Sequence, residues 1–381
     1  MALILDPAQR VIDKDHQIFV LHPGDGKRFY NDFIAQKAVF LDIPGIKLKA
    51  VPDIEDEETR KLLRMARAIG GWHKSGRPAQ RLPQRDPQAF SVTVEGREAP
   101  RFMREVQTLY KDAKPGDLII IPGPGYNSAV LMAELVGEFD PEYRVDSTRY
   151  AADLIPARRI KFLQTGHAKY EFGRRAIQLM QNRQAIIRVS DDADRHEFYE
   201  HAYGDYVWGD VSGNYMELTE AVVDQKDLTD VLFMTNYYGA MYVAMKADKL
   251  EHFASLPWHK AINEYYNREL FGDISIEIHS PGFFGRPMRN ASIAGFIAAM
   301  TALAAAGASS AEVATIEVRN SANGRVSVCD LDLQRDIQST VKMVSNAHLW
   351  WDEVCAAQKA ASEKTGLKTK ARVIDKDKTS N

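Results

Sequence analysis

Cysteine is nearly absent from this chain, with only Cys329 and Cys355 in 381 residues. Two cysteines exclude a disulfide framework and a cysteine-built zinc site, and they fit a reducing compartment. Long apolar runs are missing too. The most apolar stretch, residues 291–307, is too short and too rich in alanine to span a bilayer. The opening MALILDPAQR shows no basic region followed by an apolar run, so no secretory leader is read there. The expected location is the cytoplasm, with no membrane partner. A phosphate loop is also lacking. Gly123-Pro124-Gly125 follows a predicted strand but has no Gly-Lys-Ser/Thr ending and no third glycine at dinucleotide spacing, so a hairpin turn accounts for it.

What the chain does have is charge sorted into blocks beneath a net charge of only −3. Residues 60–104 hold eleven Lys and Arg against three acids, and residues 155–190 hold eight against Glu171 alone. Residues 191–230 then reverse the sign, with twelve acids against Arg195 and Lys226. A single charge block is most often a solvated face, but two basic blocks in one module favour a polyanionic partner. The length favours two domains, and the change of sign sets the expected boundary near residue 205. The expected organisation is residues 1–205, residues 206–362, and a Lys-rich, disordered tail at residues 363–381.

Hydrophobic period gives the elements of the first module. QIFVL at residues 17–21 is a predicted strand, stopped by the turn cluster HPGDG. Residues 55–69 place Leu62, Leu63, Met65, Ala66 and Ile69 at helical spacing, with acids gathered at the start where the helix dipole prefers them. Residues 70–88 have no period and form a predicted basic loop that carries Trp72. Residues 101–111 are again helical. The turn Pro115-Gly116-Asp117 then leads into the strand 118–122, and residues 129–139 return as its hairpin partner.

These elements carry a resemblance. The strand before HPGDG is followed by RFYNDFIAQKAVFLDIPG, then RFMREVQTLYKDAKPGDLIIIP, AVLMAELVGEF and RRIKFL. This order, over roughly residues 17–189, resembles the N-terminal module of Mrr-type restriction and other phage-defence proteins. That module is similar to the small β-barrels of the PUA and EVE group. Phe40-Leu41-Asp42-Ile43-Pro44 stands where such modules tend to carry a Gly-rich strand ending in Trp, and residues 70–100 read as an insertion. The resemblance implies a barrel that accepts a nucleobase, plain or modified, between aromatic faces while basic side chains hold phosphates. The aromatics close to the basic blocks are Phe29, Tyr30, Phe33, Phe40 and Trp72. Phe33 and Phe40 are the stronger core candidates, which leaves Tyr30 and Trp72 as base contacts. The expected nucleic-acid contacts are Tyr30, Trp72, Arg77, Arg81, Arg158, Arg159, Lys161, Arg174 and Arg175.

The second module reads as a mixed α/β layer with an antiparallel sheet, making the whole chain α+β. Residues 231–247 suggest two paired strands, residues 292–306 a buried helix, and residues 314–319 with 325–333 a hairpin turned at Asn323-Gly324. Residues 336–361 read as one C-terminal helix. DISIEIH at residues 273–279 alternates strictly and sets Glu277 and His279 on one face about 7 Å apart. If Glu317 lay on a neighbouring strand, Glu277, His279 and Glu317 would suit acid/base or metal-assisted hydrolysis of a phosphodiester. The solvent face of an antiparallel sheet has the same pattern. Three function classes therefore stay open. They are a nucleic-acid reader in an antiviral restriction system, a nuclease requiring a divalent metal, and a non-catalytic assembly subunit. The last would dock through Phe283-Phe284 or the apolar helix, to a protein partner or a second copy. Any other cofactor is left unknown.

Overall fold

A computed structural model describes residues 3–91, 98–163, 166–272, 275–277, 282–322, 328–345 and 348–375. It is a mixed α/β protein whose curled sheets include a half-barrel. The chain forms two compact units, Asp15–Phe198 and the combination of Met1–Lys14 with Tyr199–Asn381. The division falls within the helix Asp192–Tyr203, in the acidic segment, a few residues before the expected boundary. The first fourteen residues belong with the C-terminal part because the Leu3–Asp6 strand pairs with Glu317–Val318 and Arg372–Asp375.

In the Asp15–Phe198 unit, six strands lie in the order Ile186–Arg188, Ile18–Leu21, Leu118–Ile121, Leu131–Leu135, Arg158–Phe162 and Ala38–Val39. Ile18–Leu21 and Leu118–Ile121 run parallel, with Phe19 opposite Ile119. All four residues of each are buried, which is why both read as continuous apolar runs and not as alternating ones. The expected hairpin is present, Leu118–Ile121 pairing antiparallel with Leu131–Leu135. The helix Glu57–Lys74 starts where the Asp56 carboxylate accepts from the Glu58 amide, and it carries Glu57 and Glu58 in its first turn and Lys74 in its last. It buries Leu63, Met65, Ala66 and Ile69, so Arg67, Gly71 and Lys74 fall on the exposed side.

The second unit holds a sheet in the order Ser275–Glu277, Gly282–Met288, Val211–Leu218, Tyr206–Trp208 and Arg10–Ile12. Several expectations are corrected here. Residues 231–246 lie inside one helix, Gln225–Lys246, with Ala247 as its C-cap and Asp224 as its N-cap, which accepts from the Asp227 amide at 2.8 Å. Its interior residues are buried nearly all round, so the sequence shows no amphipathic period and imitates a pair of strands. Residues 328–333, expected in a hairpin, open the helix Val328–Val344, and a second helix, His348–Thr365, follows. The expected Asn323-Gly324 turn lies outside the described residues. The tail forms two strands, Arg372–Asp375 taken up by the open edge of Leu3–Asp6 and Leu367–Thr369 by Met216–Leu218, the end of Val211–Leu218 that extends past Tyr206–Trp208. Phe283 and Phe284, expected in an exposed docking loop, are buried in a strand, and Phe283 stacks on Tyr215 at 4.8 Å. The apolar helix Ile293–Ala305 is buried within this unit's core. No helix among the described residues is long and apolar enough to cross a membrane.

Asp205 ties this sheet together from the inside. It is fully buried, and its Oδ1 accepts from the Tyr215 amide at 2.8 Å and from the Asn214 side chain at 3.3 Å. Burial pushes its carboxyl up to about 7, against the pull of those donors and of Lys370. The unfolded value is 3.8. Between those two values the unfolded chain releases a proton that the folded chain keeps, so this group's contribution to stability falls as pH rises through the window. Asp205→Asn keeps the acceptor oxygen and cannot titrate. Urea midpoints measured at pH 4.5 and pH 7 are expected to show the variant gaining on the native protein at the higher pH, and an equal difference at both values would refute the assignment.

Candidate functional site

The parallel pair brings two loops to the same end of the sheet. His22–Lys27 leaves the end of Ile18–Leu21, and Gly123-Pro124-Gly125 leaves the end of Leu118–Ile121. Between them and the helices Glu57–Lys74 and Glu98–Gln107 opens a cleft of about 1090 Å³. Six cations line it, Lys27, Arg67, Lys74, Arg101, Lys169 and Arg183, against Asp25, Asp42 and Glu105. The side-chain amides of Gln181, Asn182 and Gln184 and the rings of Phe102 and Tyr126 also line it.

Two of the three acids are already committed, while Asp25 is exposed on its loop. Asp42 is paired with Arg28 and with Lys74 at 2.9 Å, and it accepts from the Tyr150 hydroxyl. Glu105 accepts from Arg101 Nε at 3.2 Å and from the Ala185 amide at 3.0 Å. The Arg67 guanidinium lies over the Phe102 ring, 5.5 Å from its centre.

The His22–Lys27 loop is folded back on itself by Gly24 at φ +72° and Gly26 at φ +62°. At Gly24 a Cβ would lie 2.5 Å from the Phe29 ring, so only glycine fits. The reversal lets Lys27 Nζ donate to His22 Nδ1. His22 is buried, and burial followed by the Lys27 charge pulls its imidazole down to about 4, against the Leu179 carbonyl. It is therefore neutral near pH 7, an acceptor at Nδ1 for the lysine. Burial followed by the nearby Lys169 pulls Lys27 down to about 8. Lys169 is 6% exposed, and its Nζ donates to the Gly123 carbonyl at 3.1 Å and the Gly125 carbonyl at 3.3 Å. Burial lowers its pKa as well.

None of the nine expected nucleic-acid contacts lines this cleft. Tyr30 donates its hydroxyl to the Ala129 carbonyl at 2.8 Å, and Trp72 donates Nε1 to the Pro78 carbonyl at 3.1 Å. Arg77 is held by the Arg149 carbonyl and by His73 Nδ1, while Arg81 is exposed on the short turn Ala79–Arg81. Arg159 lies 3.7 Å from the centre of the Tyr143 ring and pairs with Asp140. Arg175 is paired with Asp191 and Asp194, where the acidic block neutralises the end of the basic one. Lys161 and Arg174 are exposed away from the cleft lining. Arg158 is a structural residue. It is 2% exposed and donates to the carbonyls of Leu109, Ala113 and Gly137, two of which belong to the end of the π-helical turn Thr108–Asp112.

The hydrolytic set does not assemble. Glu277 and Glu317 lie on strands of different sheets, Ser275–Glu277 beside Gly282–Met288 and Glu317–Val318 beside Leu3–Asp6. Glu317 accepts from Arg319 of its own strand end at 2.5 Å, and His279 lies outside the described residues. Among the described residues, no group of three His, Cys, Asp or Glu side chains is placed to hold a metal ion. The cleft residues were missed because HPGDG and GPG look like ordinary turns. The available signal was their position directly after two fully apolar strands, which marks parallel neighbours and hence loops at one end.

No family model, curated protein or solved structure matches this chain.

Arg158→Ala would leave the buried Leu109 and Ala113 carbonyls and the Gly137 carbonyl without their donor, at a cost of about 3 kcal/mol. Chemical denaturation is expected to show that loss. Any ligand binding by the folded fraction should be unchanged, and a selective loss of binding with native stability would return Arg158 to the binding surface.

Proposed function

We propose that this protein is a nucleic-acid reader of a restriction or phage-defence system, in which the Asp15–Phe198 unit serves as a PUA/EVE-like module. An unstacked base, plain or modified, enters the cleft while the strand backbone lies along its basic rim. The observation that carries this reading is the convergence of both basic blocks. Residues 60–104 contribute Arg67, Lys74 and Arg101, residues 155–190 contribute Lys169 and Arg183, and all five line one cleft. Cations that surround a strand release its counterions, and this supplies sequence-independent affinity. The amides of Gln181, Asn182 and Gln184 offer donors and acceptors for a base edge, and Phe102 and Tyr126 offer faces on which a base stacks.

Gly71 adds support from helix energetics. It sits inside Glu57–Lys74 and lines the cleft, and nothing lies within 4 Å of a Cβ built on it. A glycine there costs the helix about 1 kcal/mol relative to alanine, and no packing requires it. Close approach of a ligand to the backbone is the remaining use.

Two measurements follow. Binding of a single-stranded oligonucleotide is expected to weaken with salt at a slope of about −3 in log K against log concentration if about four phosphates are contacted. Replacing Arg67 and Arg183 together by alanine is expected to flatten that slope by about 1.4. Salt-independent binding, or no binding to any DNA or RNA, overturns the reading. Gly71→Ala is expected to raise stability by about 1 kcal/mol while weakening the same binding, and a gain in stability with unchanged affinity would remove Gly71 from the ligand path.

A further inference from the structure

We propose that Lys27 and Lys169 form a phosphate subsite of the cleft, in which the two ammonium groups grip one phosphate of a nucleotide beside the His22–Lys27 loop. It deepens the reading above by naming the group that the deepest charges recognise.

The case starts from unmatched charge. Two of the cleft's other cations have carboxylate partners close by, Lys74 on Asp42 and Arg101 on Glu105. For Lys27 and Lys169, the described residues provide only uncharged acceptors, the His22 imidazole and the carbonyls of Gly123 and Gly125. Carbonyl and imidazole acceptors orient an ammonium without cancelling its charge, and a cation taken out of water without an anion carries a heavy desolvation cost. Two such cations that also repel each other make that cost larger. The charged or titratable groups around them are His22, held neutral, each other, and the exposed Asp25 of the same loop, which forms no ion pair with either lysine among the described residues. Asp42 is already shared between Arg28 and Lys74.

The donor count fits the ligand. An ammonium has three N–H groups. Lys169 uses two on the loop carbonyls and Lys27 uses one on His22, so donors remain on both. A phosphate oxyanion accepts several charge-assisted hydrogen bonds at once. The parallel strands hold both loops in place, so the pair is arranged before a ligand arrives.

An anion on this pair also restores the lysines' affinity for protons. Lys27, held at about 8, is mostly charged at pH 7 and mostly neutral at pH 9, so binding weakens across that interval and takes up protons near its midpoint. A phosphate of a nucleic-acid strand and the phosphate of a free nucleotide share this chemistry, and the probes separate them.

The experiment is calorimetry on the full chain with three probes: inorganic phosphate, a nucleoside 5′-monophosphate and a single-stranded oligonucleotide. Lys27→Met is expected to weaken each probe that the native protein binds by about tenfold or more, the loss of one charge-assisted contact. Native binding is expected to fall by a similar factor from pH 7 to pH 9, whereas Lys27→Met shows no such fall. Arg183→Ala, at the rim, is expected to weaken the oligonucleotide alone. Lys169→Met tests the second cation, and because it is buried its fold is checked by circular dichroism. If it does not fold, the pH dependence of Lys27→Met decides. Oligonucleotide binding that survives Lys27→Met unchanged overturns the subsite while leaving the reader intact. Monophosphate binding that depends on Lys27, with no oligonucleotide binding, keeps the subsite and overturns the reader. A native protein that binds none of the three overturns both.

Discussion

The parallel pairing of Ile18–Leu21 with Leu118–Ile121 is the contact on which the cleft depends. Parallel neighbours end on the same side, so the loops that follow them emerge together, as in α/β proteins whose ligands sit beyond the carboxyl ends of strands. Here those loops are His22–Lys27 and Gly123-Pro124-Gly125. Had the two strands run antiparallel, the loops would lie at opposite ends and Lys27 would have no relation to Lys169. Both strands are fully buried, so the register that sets this arrangement is held by apolar packing on both faces.

Charge is distributed around that frame according to depth. Where the chain has water nearby it pairs its ions, as in Asp42 with Arg28 and Lys74 or Arg175 with Asp191 and Asp194, and such pairs contribute little to stability. Deep in the cleft, cations stand on neutral acceptors. An inert fold gains nothing from such an arrangement, because dehydrated charge without a counterion disfavours the folded state. Arg158 illustrates the contrast. It too is buried and held by carbonyls, but they cap the π-helical turn Thr108–Asp112 and an adjacent loop, the charges of Glu138 and Asp117 act on it, and it does not line the cleft.

The second unit turns its chemistry inward. Phe283, Phe284 and the Ile293–Ala305 helix are core, and the carboxylates of the supposed hydrolytic set belong to separate sheets. Its tail is drawn into two sheets because Leu3–Asp6 and the Met216–Leu218 end of the central strand Val211–Leu218 offer backbone groups that pairing satisfies. Lysines along a strand do not prevent that, since alternate side chains point to solvent.

By itself the sequence determined the elements whose signals are local. The apolar strands, the capped Glu57–Lys74 helix, the hairpin after Pro115-Gly116-Asp117 and the two basic blocks all follow from neighbouring residues acting on one another. It failed at Gln225–Lys246, where burial on every side erases the period that marks a helix. Only the tertiary structure decided which basic residues share a cleft and which, like Arg158, are consumed within the fold. Lys169 reaches a carbonyl 46 residues earlier, and Lys27 answers to a charge from a distant segment. Such meetings depend on strand direction and depth of burial. A composition of charges along the chain carries neither, because Coulomb and desolvation energies are set by distance and dielectric in space and not by order in sequence.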